Sequence, residues 1–291
     1  MIDIECVVDA KAALGEGPLW DPGDQVLWWV DIKAPAIHRY DPATGEDRIF
    51  PTPEDIGCLA VREAGGLVVA MRNGLFFFDP VSGRFDAILD PESDRPENRF
   101  NDGKPDRQGR FWPGSMNEAN YPAPTAALYR LDADLSCHRM VTGIGCSNGL
   151  AWSPDSTVMY YADSPAQKVW AWDFDPVSGA IENRRLFVDT APFDSNPDGA
   201  TVDADGGYWL TLPEVDKLAC VDPEGKLVRL IAVPVYHPTC AMFGGADLDV
   251  LYITTARMFR PPAAIALQPE SGGLFAMDVG VMGLPEARFK G

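Results

Sequence analysis

The sequence predicts an all-β fold, a six-bladed β-propeller that forms a single domain over residues 1–291. Three observations predict it: one motif recurs along the chain, turn-forming residues punctuate it throughout, and helical periodicity is nearly absent. The chain contains 27 Gly and 26 Pro, which supply the turns that a succession of short strands requires. A pair of β-sandwiches is the alternative, and it gives no reason for a repeat at a regular interval.

The repeat joins a polar residue and a Gly to an apolar run, a tight turn and an aromatic or β-branched strand. Its strongest copies start at Glu16, Asn148 and Asp198, and weaker copies start near Gly57, Gly103 and Cys240. The marker glycines Gly17, Gly57, Gly103, Gly149 and Gly199 are separated by 40, 46, 46 and 50 residues. Repeats of about 40–50 residues with four short strands are typical of propeller blades.

A spare strand is expected at the N-terminus, over residues 3–9, because the repeats begin only near residue 14. We expect this strand to pair with the segment 273–277 and to complete the last blade. Such pairing joins the two ends of the chain and removes open sheet edges.

The composition disfavours several kinds of partner. The chain has 43 acidic and 24 basic residues, a formal net charge of −19, which repels nucleic acid and anionic membranes. No apolar run reaches the roughly 18 residues of a transmembrane helix, and no signal peptide is visible, so we expect a cytoplasmic protein. The 6 cysteines show no CxxC spacing, which favours reduced thiols over disulfides or a zinc site. The oligomeric state is left open.

A ring of metal ligands is predicted by the repeat. The residue before each marker Gly is expected to point toward the propeller axis, at one level of the central channel. These positions hold Glu16, Ile56, Asp102 (preceded by Asn101), Asn148, Asp198 and, in the last blade, Thr239 or Cys240. Carboxylates crowded in this way repel one another unless a cation lies among them. Oxygen ligands suit one divalent ion such as Ca²⁺, Mg²⁺ or Mn²⁺, and they also accept Zn²⁺ or Fe²⁺.

Two other kinds of catalytic site were weighed on the sequence. Residues 145–149 match the GxSxG pattern of serine hydrolases, which would make Ser147 a nucleophile. That pattern requires a strand–turn–helix elbow, whereas here it enters a blade strand. The three histidines, His38, His138 and His237, have no paired spacing, so a His-rich zinc site is not expected; His237 has either a structural role or a place at the channel mouth.

The chain resembles the regucalcin (senescence marker protein)/gluconolactonase family over nearly its whole length. The resemblance lies in LGEGP at 14–18, NRFNDGK at 98–104, SNGL at 147–150, PDG at 197–199, FGG at 243–245, YITTAR at 252–257 and ESGG at 270–273. It implies a six-bladed propeller whose central cation is held by Glu16, Asn148 and Asp198. It also implies that Arg99 and Asn101 hold sugar hydroxyl groups. A further substrate-binding Glu of the family falls one residue from Glu118, to which we assign that role here.

The implied activity is metal-dependent hydrolysis of a sugar-derived lactone to the free sugar acid, with Asp198 as the general base. Glucono-, xylono-, arabinono- and galactonolactone are all compatible with the motifs, as are several cations. A non-catalytic metal-binding propeller is one alternative, and a propeller hydrolase acting on organophosphates or hydrophobic lactones is another. A carbon-bond-forming propeller enzyme resembling strictosidine synthase is a third, although it would be expected to lack the three metal ligands.

Overall fold

The computed structural model describes residues 3–291, which form six antiparallel four-stranded sheets arranged as a six-bladed propeller. The predicted fold class is therefore confirmed. Helical structure within residues 3–291 is limited to α1 (Pro262–Ile265) and three short 3₁₀ turns. None of these helices has the length and apolar character needed to span a membrane.

Each blade contains four strands, which run in chain order from the central channel to the periphery. Strand β1 (Ile4–Val8) precedes the first blade. Blade 1 contains β2 (Gly15–Asp21), β3 (Val26–Asp31), β4 (Ala36–Asp41) and β5 (Glu46–Pro51). Blade 2 contains β6 (Ile56–Val61), β7 (Leu67–Met71), β8 (Gly74–Asp79) and β9 (Arg84–Leu89). Blade 3 contains β10 (Asn98–Pro105), β11 (Phe111–Asn117), β12 (Ala126–Leu131) and β13 (Cys137–Ile144).

The remaining blades follow the same plan. Blade 4 contains β14 (Ser147–Trp152), β15 (Val158–Asp163), β16 (Lys168–Phe174) and β17 (Ile181–Asp189). Blade 5 contains β18 (Ala200–Val202), β19 (Tyr208–Leu212), β20 (Lys217–Val221) and β21 (Leu227–Ala232). Blade 6 contains β22 (Pro238–Gly244), β23 (Val250–Thr255) and β24 (Leu274–Asp278), with β1 as its outermost strand.

The N-terminal strand closes the propeller as predicted. Strand β1 pairs antiparallel with β24, and the register places Ile4 opposite Met277 and Val8 opposite Leu274. The innermost strands β2, β6, β10, β14, β18 and β22 contact one another in a closed ring around the channel. Closure leaves sheet edges only along the central channel and on the outermost strand of each blade.

Burial decreases from the channel to the periphery. All residues of β2, β6, β10, β14, β18 and β22 are buried, whereas most residues of the outermost strand β17 are exposed. Aromatic side chains fill the space between blades. Trp112 meets Trp152 edge-on with ring centroids 6.0 Å apart, and Trp209 meets Phe243 in the same way at 6.1 Å. These contacts hold neighbouring blades at a constant spacing.

The marker glycines lie where the innermost strands change register. The pairing shifts between Glu16 and Leu19 in β2 and between Asn148 and Ala151 in β14. Gly17 and Gly149 lie inside these shifts with φ of 53° and 60°, the left-handed region that Gly adopts without strain. A bulge of this kind redirects the side chain beside it. The bulge therefore explains why a Gly directly follows Glu16 and Asn148.

The C-terminal tail covers one end of the channel. Gly283 bridges to Asp203 just after β18, and Phe289 bridges to Arg62 just after β6. Phe289 is fully buried, and Arg288 forms an ion pair of 2.5 Å with Asp21 at the end of β2. All of these contacts lie at the end where the innermost strands finish. The other end, where the innermost strands begin, remains open.

Candidate active site

A cavity of about 610 Å³ lies at the open end of the channel. This volume is within the range of roughly 300–1,000 Å³ typical of small-molecule sites. All six sequence-predicted site residues line it, namely Glu16, Arg99, Asn101, Glu118, Asn148 and Asp198. They come from blades 1, 3, 4 and 5, so the closed ring is what brings them together.

Two carboxyl groups meet in this cavity. Glu16, in β2, is buried, and its carboxyl group is close enough to that of Asp198 to share a hydrogen bond. Burial raises the pKa of Glu16, and the negative charge of Asp102 raises it further. Burial likewise raises the pKa of Asp198, followed by the charges of Glu16 and Asp102. The charge of Glu16 therefore opposes ionisation of Asp198.

The side chain of Asn148, the predicted amide ligand, forms hydrogen bonds at both ends of its carboxamide. Asn148 lies at the start of β14 and is buried. Its Nδ2 donates to the Ser164 hydroxyl at 2.8 Å, and its Oδ1 accepts a hydrogen bond of 3.2 Å from Asn101 Nδ2. Glu16, Asn148 and Asp198 thus line the same cavity, and the Asn148 carboxamide has a defined orientation there.

Arg99 and Asn101 form the adjoining wall. Both lie in β10, two residues apart, and both are buried. Arg99 Nη1 donates to Asn101 Oδ1 at 2.9 Å and to the Phe100 carbonyl at 2.8 Å, while its Nε donates to Glu118 Oε1 at 2.9 Å. The guanidinium is therefore fixed by three acceptors, with its plane set before any ligand arrives.

Glu118 belongs to an ion cluster at the cavity rim. Its carboxylate pairs with Lys33 and Arg72 as well as Arg99, and Asp55 pairs with Lys33 at 2.6 Å and with Arg72 at 2.8 Å. Partial burial by itself would raise the pKa of Glu118, but the hydrogen bonds and charges of the three cations outweigh it and lower the pKa to about 2. Glu118 therefore stays ionised. A direct contact between Glu118 and a substrate stays a prediction.

The ring of ligand positions differs from the expectation in blade 3. Asn101 lines the cavity, whereas Asp102 is turned into the channel, where Oδ1 accepts from Gly103 N at 2.8 Å and Oδ2 from Leu150 N at 3.4 Å. The register shift between Phe100 and Gly103 produces this difference, because alternating side chains change face there. The acid of blade 3 is satisfied by backbone donors, and its amide neighbour faces the cavity.

Several cavity residues carried no signal in the repeat. Lys33, Tyr121, His237 and the segment 258–260 lie on connections between strands, and only the folded ring brings them to one mouth. His237 lines the cavity and stacks on Phe259 with centroids 4.5 Å apart. Burial lowers the pKa of His237 to about 4, which leaves its imidazole neutral near pH 7. His237 and Phe259 therefore add an aromatic surface to the cavity.

Ser147 does not have the surroundings of a nucleophile. It is fully buried in β14, and its hydroxyl contacts that of Tyr161 rather than a histidine. The strand–turn–helix elbow that the GxSxG pattern requires is not present at this position. Within residues 3–291, no group of three or more His, Cys, Asp and Glu side chains is arranged to hold a metal. The predicted ligand set differs from such a group because it combines two carboxylates with one amide.

Comparison with known proteins agrees with this architecture. A family model described as SMP-30/Gluconolactonase/LRE-like region matches residues 14–257. The chain is 35% identical to a 6-deoxy-6-sulfogluconolactonase of Pseudomonas putida over 99% of both chains. It is 36% identical to a regucalcin of Danio rerio, over 100% of this chain and 99% of that one.

A solved structure shows the same likeness in three dimensions. The structure of a regucalcin of Agrobacterium tumefaciens, described as a calcium-binding protein, superimposes with a TM-score of 0.94 at 26% identity. The superposition covers 99% of this chain and 97% of that one. The chain therefore belongs to the SMP-30/gluconolactonase/LRE-like family.

Proposed function

We propose that this protein hydrolyses a sugar-derived lactone to the free sugar acid, with one divalent cation held by Glu16, Asn148 and Asp198. The observation that carries the proposal is the meeting of these three side chains in one cavity, beside the fixed donors of Arg99 and Asn101. The gluconolactonase in the family description and the sulfogluconolactonase of Pseudomonas putida support a sugar lactone as the substrate class.

The donor set fits a divalent cation. Glu16 and Asp198 are neighbouring carboxyl groups whose pKa values burial raises, so both can be ionised together only when positive charge compensates them. The positive charge that acts on Glu16 comes from Arg99, whose Nε and Nη1 atoms already donate to Glu118 and Asn101. Two carboxylates and one amide oxygen are hard ligands that suit Ca²⁺, Mg²⁺ or Mn²⁺ and also accept Zn²⁺ or Fe²⁺. When bound, such a cation supplies Lewis acidity toward a lactone carbonyl.

The chain itself supplies proton transfer and substrate binding. Asp198 is the proposed general base: its carboxylate takes a proton from the attacking water while the water oxygen bonds to the carbonyl carbon. The ring C–O bond then breaks, and the proton passes to the departing ring oxygen, which becomes a hydroxyl of the sugar acid. Arg99 and Asn101 are the proposed partners of the sugar hydroxyl groups, and polar groups fixed in this way discriminate against analogues that lack those hydroxyl groups.

Glu118 is proposed to act mainly through Arg99. Its Oε1 accepts from Arg99 Nε, and the rest of its carboxylate is engaged by Lys33 and Arg72. This arrangement holds the guanidinium in the plane that faces Asn101. In this proposal a substrate hydroxyl meets Arg99, and the carboxylate behind it keeps the guanidinium in place.

The proposal is tested by removing and restoring the metal. The protein is treated with a chelator, shown to be metal-free by elemental analysis, and assayed against glucono-, xylono-, arabinono- and galactonolactone. Each assay follows acid release and subtracts the spontaneous opening of the lactone. We expect activity to vanish in the metal-free protein and to return with one or more of Ca²⁺, Zn²⁺, Mg²⁺, Mn²⁺ and Fe²⁺.

Two outcomes contradict the proposal in different ways. Full activity of the metal-free protein would overturn metal dependence while leaving lactone hydrolysis in place. Tight cation binding without hydrolysis of any lactone in the panel would instead support a metal-binding propeller without catalysis.

A further inference from the structure

Ser164 occupies a position between two of the proposed ligands. It directly follows β15 and begins the 3₁₀ turn Ser164–Ala166, and it is buried with 4% of its surface exposed. Its hydroxyl donates to the Pro197 carbonyl at 2.7 Å and accepts from Asn148 Nδ2 at 2.8 Å. Pro197 directly precedes Asp198 in the chain. One hydroxyl therefore joins the amide ligand of blade 4 to the backbone before the acid ligand of blade 5.

The direction of these hydrogen bonds is determined by chemistry. A carbonyl oxygen can only accept, so the single hydroxyl proton of Ser164 is committed to Pro197. The Ser164 oxygen can then only accept from its other neighbour. The end of the Asn148 carboxamide that faces Ser164 must therefore be the amino group.

The opposite end of the carboxamide is constrained independently. A guanidinium has donors only, so the Asn101 atom bound by Arg99 must be Oδ1. Asn101 Nδ2 then donates to the Ser147 carbonyl at 2.9 Å and to Asn148 Oδ1 at 3.2 Å. The hydrogen bonds of Arg99 and of Ser164 thus require the same orientation of Asn148.

We propose that Ser164 is a positioning residue for the cation site, which holds the Asn148 amino group so that the amide oxygen is available in the cavity. This inference rests on the proposed function, in which Asn148 and Asp198 hold the cation. An amide oxygen has two lone-pair sites. Asn101 uses one of them, and the second is free for a cation.

Ser164 also restricts the backbone before Asp198. The Pro197 carbonyl is held by the Ser164 hydroxyl, and Asp198 N donates to the Thr211 carbonyl at 3.2 Å. The peptide that carries the acid is therefore attached to blade 4 as well as to its own blade. Groups that orient a ligand in this way typically change metal affinity 10–100-fold when they are removed.

The test compares Mn²⁺ binding by the wild-type protein and five variants, with free Mn²⁺ measured by its paramagnetic resonance signal. Ser164→Ala is expected to weaken Mn²⁺ binding about 10–100-fold. At saturating Mn²⁺, KM for the lactone should change little, because Arg99 and Asn101 remain in place. The matched control is Ser115→Ala in blade 3. Ser115 is fully buried; its hydroxyl contacts Glu92 Oε1 at 2.8 Å and the Ala127 carbonyl at 3.3 Å and accepts from Ala127 N at 3.0 Å, and it does not line the cavity.

A double-mutant comparison separates positioning from a general structural effect. A carboxylate has the same atom at both ends, so Asn148→Asp does not need Ser164 to choose its orientation. In the Asn148→Asp background, Ser164→Ala should therefore weaken Mn²⁺ binding much less than it does in the wild-type background. An equal loss in both backgrounds would overturn the inference, as would an equal loss in Ser115→Ala.

Failure of the inference is distinguishable from failure of the proposed function. If Ser164→Ala binds Mn²⁺ like the wild type while Asn148→Ala binds it weakly, only the role of Ser164 is overturned. If Asn148→Ala itself binds Mn²⁺ as tightly as the wild type, the proposed ligand set is overturned, and the role of Ser164 with it.

Discussion

The two ends of the same six inner strands have opposite characters. Where the strands begin, Glu16, Asn148 and Asp198 surround an open cavity of about 610 Å³. Where they finish, the C-terminal tail lies across the channel, and Phe289 is fully buried against the blades. Acidic residues occur at both ends, and at the closed end Asp21 and Asp203 accept hydrogen bonds from protein donors. The position of an acid in a blade therefore does not by itself determine its surroundings, since two carboxyl groups meet in the cavity only at the open end.

Blade 5 shows this contrast on a single short strand. Asp198 precedes β18 and faces the cavity beside Glu16, with a raised pKa. Asp203 follows β18, and its carboxylate accepts hydrogen bonds from Gly207 N at 2.7 Å and from Trp209 Nε1 at 2.8 Å. The first carboxylate is available for chemistry, whereas the second connects the strand to its neighbours.

The largest expected effect is a loss of activity when the acid at the open end of blade 5 is replaced. Replacing the acid at the closed end of the same strand should cause no such loss. Asp198→Asn should lower kcat/KM by about 10²–10⁴, because the amide cannot accept the proton that a general base takes. The matched variant Asp203→Asn removes a carboxylate from the other end of the same strand and should retain activity within a few-fold. Its stability should be reduced, because the hydrogen bond from Trp209 Nε1 is altered. Steady-state kinetics and thermal unfolding of both variants check this. Equal activity of the two variants would remove Asp198 from the mechanism.

A second prediction concerns the closed end. Phe289→Ala should lower the free energy of unfolding by about 3–5 kcal/mol, because it leaves a cavity among fully buried groups such as Phe111 and Leu131. Activity measured well below the melting temperature should stay close to wild type, since the cavity lies at the other end. Denaturant unfolding measures the stability change. A large loss of activity with unchanged stability would show that the two ends are coupled.

The smallest expected effect lies at the rim of the cavity and depends on pH. The pKa of Glu118 is lowered from 4.5 to about 2, so its ion pairs stabilise the folded state fully above pH 4.5 and less as the pH falls toward 2. Glu118→Gln should be less stable than wild type at pH 7, by on the order of 1 kcal/mol because the cluster is partly open to solvent. The difference should disappear near pH 2. Melting temperatures of both proteins across this range check it, and a difference that does not depend on pH would argue against the ion pairs.

Much of the fold could be predicted because the residues that define each blade repeat lie close together in the sequence. Turn residues and strand-forming residues recur at intervals of 40–50 residues, and they predicted both the number of blades and the closing strand 3–9, observed as β1. The assignment of Asp102 to the ring was less successful. Whether Asn101 or Asp102 faces the cavity depends on one register shift in β10, which single-sequence spacing does not specify.

The mouth of the cavity could not be predicted from the repeat. Lys33, Tyr121, Ser164 and His237 lie on connections that differ from blade to blade, and their neighbours in space are far apart in sequence. The ion pair between Lys33 and Glu118, for instance, joins residues 85 positions apart. Such pairs depend on how the loops of different blades pack, and loops carry little periodic signal.

The sequence alone determined the six-bladed plan and the residue types at each channel position, because turns, strand periodicity and Asx-Gly or Glu-Gly pairs act over a few residues. Only the tertiary structure decided which of those residues share a cavity, which acids are satisfied by backbone donors, and how the Asn148 carboxamide is oriented. The physical reason is that charge and hydrogen-bond satisfaction depend on distance in space. In a closed ring of blades that distance is set by contacts between distant parts of the chain.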